Sequence, residues 1–129
     1  LYGLIQKARA NAVVLSGDSH AFWANELYDA ETGGKRVAVE FGTTGITSPG
    51  PGEPIAAIPL GDIFARHNRE VVYNNQTAKG FVLLTLSHTQ ATAELMAVSS
   101  IREKGYATKA IATYRVTPGA GGVSALKAV

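Results

Sequence analysis

The residues with most chemical potential in this chain are Asp18 and His20, separated by Ser19 and preceded by Gly17. In extended backbone, residues two apart point the same way, so a carboxylate and an imidazole at this spacing converge on one point while Ser19 points away. Together they make plausible co-ligands of a metal ion. The same residues also allow a simpler arrangement, in which Asp18 shapes a turn by bonding its own backbone and His20 is a satisfied partner. The pair follows a continuous apolar run, Ala12 to Leu15, that reads as a strand buried on both faces. The end of a buried strand is where open α/β sheets place ligands, because the chain leaves the core there with backbone groups pointing outward.

The elements that must position this loop follow from the pattern around it. Leu1, Leu4, Ile5 and Ala8 recur at helical spacing, predicting an amphipathic helix over residues 1 to about 10 that packs on a sheet and stops at Asn11. Phe22 to Asp29 and Arg36 to Phe41 alternate as strands around the turn chemistry of Glu31, Thr32, Gly33 and Gly34, which predicts a hairpin. With Tyr28 near Val37, that hairpin pairs Ala24 with Phe41 and carries His20 towards Gly45. The loop Gly42 to Gly50, GTTGITSPG, therefore belongs beside Asp18 and His20. Its Thr and Ser hydroxyls are candidates for substrate contact, and its glycines permit close backbone approach to an anion. The alternative is that those hydroxyls cap their own turns. The loop is no nucleotide P-loop, since no Gly-Lys-Ser/Thr ending is present.

Pro49, Pro51 and Pro54 with Gly50 and Gly52 predict a stiff crossing over the surface, and Asp62 to His67 a short helix ending near Asn68. His67 reads as a helix-terminal side chain and His88 as a turn residue. Glu70 to Tyr73, Gly80 to Ser87, Ala91 to Val98 and Ala107 to Val116 read as consecutive antiparallel strands, with Phe81 to Leu86 central because it is apolar on both faces. Thr117 to Gly122 reads as a mobile connection, and Val123 to Val129 as a short docking element or a continuation.

Motifs and order together resemble a known family. The segment VVLSGDSHAFWANEL, then AVEFGTTGITSPG, NREVVYNN and KGFVLLTL, is similar to the C-terminal part of PhoD-type alkaline phosphatases, from Leu1 to about Pro118. Its specific pieces are the G-D-x-H motif at Gly17 to His20 and the T-S-P-G turn at Thr47 to Gly50. The resemblance implies an α/β fold, α+β within this stretch: the C-terminal half of a four-layer αββα metallophosphatase sandwich, so that residues 1–129 form a single incomplete domain. It implies hydrolysis of phosphate monoesters and diesters by a metal-activated water, Ca2+ and Fe3+ as cofactors, and export to the periplasm or medium. On that match Asp18 and His20 are the catalytic and metal-ligating residues, Asp18 on the calcium side and His20 as a ligand or phosphate contact, while Thr47 and Ser48 bind substrate. The family's other ligand motifs, including those for iron, are absent from this sequence.

Composition limits the remaining classes. The chain has 129 residues, 46% of them hydrophobic, enough for one ordinary core. Its net charge of +2 comes from 12 basic and 10 acidic residues scattered without a run, so nothing marks a nucleic-acid surface or an anionic membrane as partner. No apolar stretch approaches the ~18 residues of a bilayer span. Zero cysteines exclude disulfides and thiolate metal sites within the stretch. A chain that opens on Leu1 and has Met96 as its one methionine reads as a piece of something longer. Its phosphate-ester substrate aside, the expected partner is a second copy, through sheet edges left open. The competing function is a non-catalytic β-rich binding module in which GDSH and TSPG are only turns.

Overall fold

The computed structural model describes residues 1–129 and contains two helices and eight strands. The order is α1 (Tyr2–Ala8), β1 (Ala12–Ser16), β2 (Phe22–Asp29), β3 (Lys35–Gly42), α2 (Leu60–His67), β4 (Val71–Asn75), β5 (Gly80–Leu86), β6 (Ala91–Val98), β7 (Thr108–Val116) and β8 (Lys127–Ala128). The strands form two four-stranded sheets, ordered β1-β3-β2-β4 and β5-β6-β7-β8. Only β1 and β3 run parallel; every other pair is antiparallel. The α+β class expected from the sequence is the one observed.

Alternation along the strands builds the core between the sheets. Phe22 and Ala24 of β2 and Val39 and Phe41 of β3 join Ala91, Ala93 and Leu95 of β6, with Tyr114 and Val116 of β7 and Val123 of the tail. Phe22, Phe41 and Leu95 are fully buried, each contributing about 2–3 kcal/mol by leaving water. Tyr73 of β4 and Tyr114 of β7 also meet, with ring centroids 6.2 Å apart.

The hairpin register is the one expected, Ala24 opposite Phe41, with a bulge between Leu27 and Tyr28 that sets Tyr28 opposite Arg36. Asp29 closes the turn, its carboxylate accepting from the Glu31 amide at 3.1 Å and the Thr32 hydroxyl at 2.9 Å. Helix α2 starts at Leu60, two residues earlier than expected, and includes Gly61. A Cβ at Gly61 would collide with the Asn74 carbonyl, so glycine lets the helix lie directly on β4.

Several expectations are corrected. β1 is an edge strand, with Leu15 61% exposed, so the apolar run is not buried on both faces. β5 is likewise an edge, with Leu83 46% and Leu86 68% exposed, and β6 takes the central place. An apolar run reports how a strand would tolerate burial, not whether a neighbour covers it. The four later strands are not one antiparallel series, because β4 pairs with β2 in the first sheet and only β5 to β8 form the meander. α1 buries no residue fully; Tyr2, Ile5 and Gln6 are half-buried while Leu1 and Leu4 stay exposed. The tail docks: Val123 enters the core and β8 pairs with β7.

Candidate functional site

The loop between β1 and β2 is not extended, which changes the geometry expected for it. Asp18 has φ 66° and His20 φ 54°, both in the left-handed region, and the Ser19 amide bonds back to the Gly17 carbonyl at 2.8 Å. Asp and His are among the few non-glycine residues that occupy this region readily, and strained backbone of this kind clusters at functional sites. Ser19 turns towards Trp23, its hydroxyl accepting from the indole N–H at 2.9 Å. Trp23 in turn packs on Phe64 of α2, centroids 5.6 Å apart, so the helix braces the loop from beneath.

The GTTGITSPG loop lies where the register put it. The Thr43 amide extends the β1–β3 ladder by donating to the Ser16 carbonyl at 2.9 Å. Thr44 is buried, and its single hydroxyl proton is shared between the His20 and Ala78 carbonyls, each at 3.0 Å. A Cβ at Gly45 would lie 3.7 Å from His20 Cγ and 3.4 Å from Ser48 Cβ, so Ser48 and the imidazole flank the same glycine. Thr47 and Ser48 are exposed. Thr47 also lines a cavity of about 250 Å³ with Ile46, Phe81, Val98, Ile101 and Tyr106. Of the four hydroxyls, Thr44 is structural, though it ties two distant segments together rather than capping its own turn. The glycines serve the fold before any anion: Gly50 and Gly52 are buried against Gln76, so this part of the proline-rich crossing is pressed into the structure.

His20 is the best-defined side chain of the site. Its Nδ1 lies 2.8 Å from the Pro49 carbonyl oxygen. A carbonyl only accepts, so Nδ1 carries the proton, and in the neutral ring Nε2 presents a lone pair. An imidazole whose second nitrogen bonds a backbone carbonyl is the arrangement that metal-ligating histidines use to fix tautomer and ring orientation. Asp18 is exposed on the same loop. His67 and His88 are exposed, at the end of α2 and in the β5–β6 turn, and Asp29 serves the far end of the hairpin, as expected. No group of three or more His, Cys, Asp or Glu side chains converges on a metal-sized point in this chain.

Sequence reasoning missed two residues behind the loop. The Glu53 carboxylate accepts from the Gly50 amide at 2.6 Å and is ion-paired with Lys79. Hydrogen bonding from Lys79, followed by the Gly50 amide, holds the Glu53 carboxyl below its ordinary range. Lys79 is buried and has no other partner. No local motif announces this pair; a lysine inside an otherwise uncharged stretch, Val71 to Thr92, was the only signal.

Fold and loop define a class. Residues 1–95 match the PhoD-like phosphatase family, and the chain belongs to it. The chain is also similar to a solved structure of PhoD, with a TM-score of 0.76 and 27% identity over 99% of this chain. It spans 24% of that protein's length. No curated protein matches it. No helix is long and apolar enough to cross a membrane.

Proposed function

We propose that this chain supplies one corner of the metal site of a phosphoesterase that hydrolyses phosphate mono- or diesters, with Asp18 and His20 as ligands. The observation that carries the reading is the His20 Nδ1–Pro49 bond, which leaves Nε2 as a donor on the loop that also carries the Asp18 carboxylate. A carboxylate suits a hard cation such as Ca2+ and an imidazole suits iron, so these donors fit the Ca2+ and Fe3+ that the resemblance implies. Bound ions would lower the pKa of a coordinated water and offset charge on the phosphoryl oxygens.

The chain's own residues orient and support. Pro49 fixes the imidazole, Thr44 anchors the His20 backbone, and Trp23 holds Ser19 so that the flanking residues keep their left-handed geometry. On this reading Ser48, which flanks Gly45 with the imidazole, and Thr47 would donate to phosphate oxygens. Two protein donors are few against the about six to eight oxygens that calcium takes, so the remaining ligands must come from residues outside this stretch. Export to the periplasm or medium goes with this reading.

Asp18→Asn in the full-length protein is the test, because asparagine keeps the left-handed backbone and removes the charge. Turnover of a chromogenic phosphodiester should fall by about two orders of magnitude or more, with bound metal reduced. A variant with near-normal turnover and metal content would remove Asp18 from the site.

A further inference from the structure

The peptide unit between Pro49 and Gly50 is held from both ends. Its carbonyl accepts from His20 Nδ1 at 2.8 Å, and its N–H donates to Glu53 Oε1 at 2.6 Å. Glu53 is itself fixed by the buried Lys79 ammonium, which lies 3.2 Å from where a Gly50 Cβ would stand. A second contact locks the same place: a Cβ at Gly50 would come within 2.9 Å of the His20 carbonyl oxygen, so the two backbones touch.

We infer that Glu53 is a positioning residue for His20, acting through the Pro49–Gly50 peptide, with Lys79 holding Glu53 in place. Hydrogen bonds in a chain polarise one another, so an N–H bonded to a carboxylate makes the carbonyl of the same peptide a stronger acceptor. A stronger acceptor at Pro49 O favours the Nδ1–H tautomer of His20 and raises the donor strength of Nε2. Lys79 has a separate task. An unpaired carboxylate half in solvent samples many rotamers, whereas a buried ammonium fixes one of its oxygens against Gly50. The sequence therefore places a charged pair one peptide removed from the imidazole, where it tunes the ring without touching substrate.

The inference rests on His20 being a ligand, and the experiment separates the two claims. The full-length protein, stripped of metal and labelled with heavy nitrogen in histidine, reports the His20 tautomer directly. The wild type should show Nδ1–H. Glu53→Gln, nearly isosteric, should shift His20 towards Nε2–H and weaken Co2+ binding about tenfold, with the melting transition retained. The double variant Glu53→Gln/Lys79→Met, which leaves no buried ammonium unpaired, should show the same tautomer shift, and it is decisive where the single variant folds poorly. An unchanged His20 signature in a folded variant overturns the inference. His20→Ala with unchanged Co2+ affinity would instead defeat the ligand assignment, while the tautomer measurement would still decide the role of Glu53.

Discussion

The carboxylate of Glu26, inside the β2–β3 hairpin, accepts a hydrogen bond at 2.7 Å from the main-chain amide of Leu126, a hundred residues further along the chain. The same carboxylate is bonded by the Tyr28 hydroxyl and, at 3.0 Å, by the Arg36 guanidinium. The Arg36 Nε also reaches the Val123 carbonyl at 3.4 Å. A buried charge is thus satisfied on several sides, and the satisfaction fastens the C-terminal segment to the first sheet.

That arrangement makes stability sensitive to acid. Burial pushes the Glu26 carboxyl up, but the Tyr28 hydroxyl, the Leu126 amide and Arg36 together outweigh it and hold it below the usual carboxylate range. A lowered folded-state pKa gives stability that is complete above the unfolded value and is lost as pH falls through the folded one. Denaturation of the full-length protein should therefore show an acid limb beginning near pH ~4.3. Glu26→Gln should cost about 2 kcal/mol at neutral pH and flatten that limb. Equal acid sensitivity in both proteins would assign the limb to other groups.

Ser19 was legible in the sequence only as the residue that points away. Its hydroxyl holds Trp23, the one tryptophan of the chain. Ser19→Ala should cost about 1 kcal/mol and change the Trp23 fluorescence maximum, because the indole N–H loses its partner beside the loop. An unshifted spectrum would show that Trp23 is held by Phe64 packing alone.

What could be read in advance depended on whether the deciding interaction was local. The β2–β3 register followed from alternation and one turn, and it placed Gly45 beside His20 from no other information. The edge positions of β1 and β5 could not follow, since Leu15 and Leu83 look the same in sequence whether or not a strand lies over them. A turn at Asp18 with a satisfied His20 was one of the two readings of G-D-S-H, but the string is equally compatible with extended backbone, so the left-handed geometry of both residues was not legible in it. Glu53 and Lys79 are 26 positions apart by number and meet solely through the fold. The Asp18–His20 pairing stood out because both residue types carry chemistry, whereas the residues that orient them do not.

Two glycine substitutions should give opposite signs. Alanine is favoured over glycine by about 1 kcal/mol within a helix. At Gly3 of α1 a Cβ meets nothing within 4 Å, so Gly3→Ala should stabilise by about 0.5–1 kcal/mol. At Gly61 of α2 the Cβ runs into the Asn74 carbonyl, and Gly61→Ala should destabilise by about 2 kcal/mol despite the helical gain. Because α2 carries Phe64 against Trp23, the displaced helix should also perturb the tryptophan signal, which Gly3→Ala leaves alone. Chemical denaturation of both variants checks the signs; stabilisation at Gly61 would mean that α2 lifts off β4 at little cost.

The isolated stretch of 129 residues should neither hold a metal tightly nor remain monomeric. Asp18 and His20 supply two donors, and with most of the coordination left to water the affinity for calcium or iron should be weaker than micromolar. Sheet edges stand open at the same time, β1 and β5 among them. β1 presents Leu15 at its edge, and β5 presents Phe81, Leu83 and Leu86, all exposed, beside unpaired backbone amides and carbonyls. Edges of this kind pair with whatever strand is offered, and none of β1 or β5 carries the inward charge, proline or bulge that blunts them. Sizing over a range of concentrations should show association, and Leu83→Lys on β5 should reduce it by placing a charge on the edge. Calorimetry on the same samples completes the check. A monomer at all concentrations, binding calcium or iron at micromolar affinity or better, would contradict both halves of the expectation.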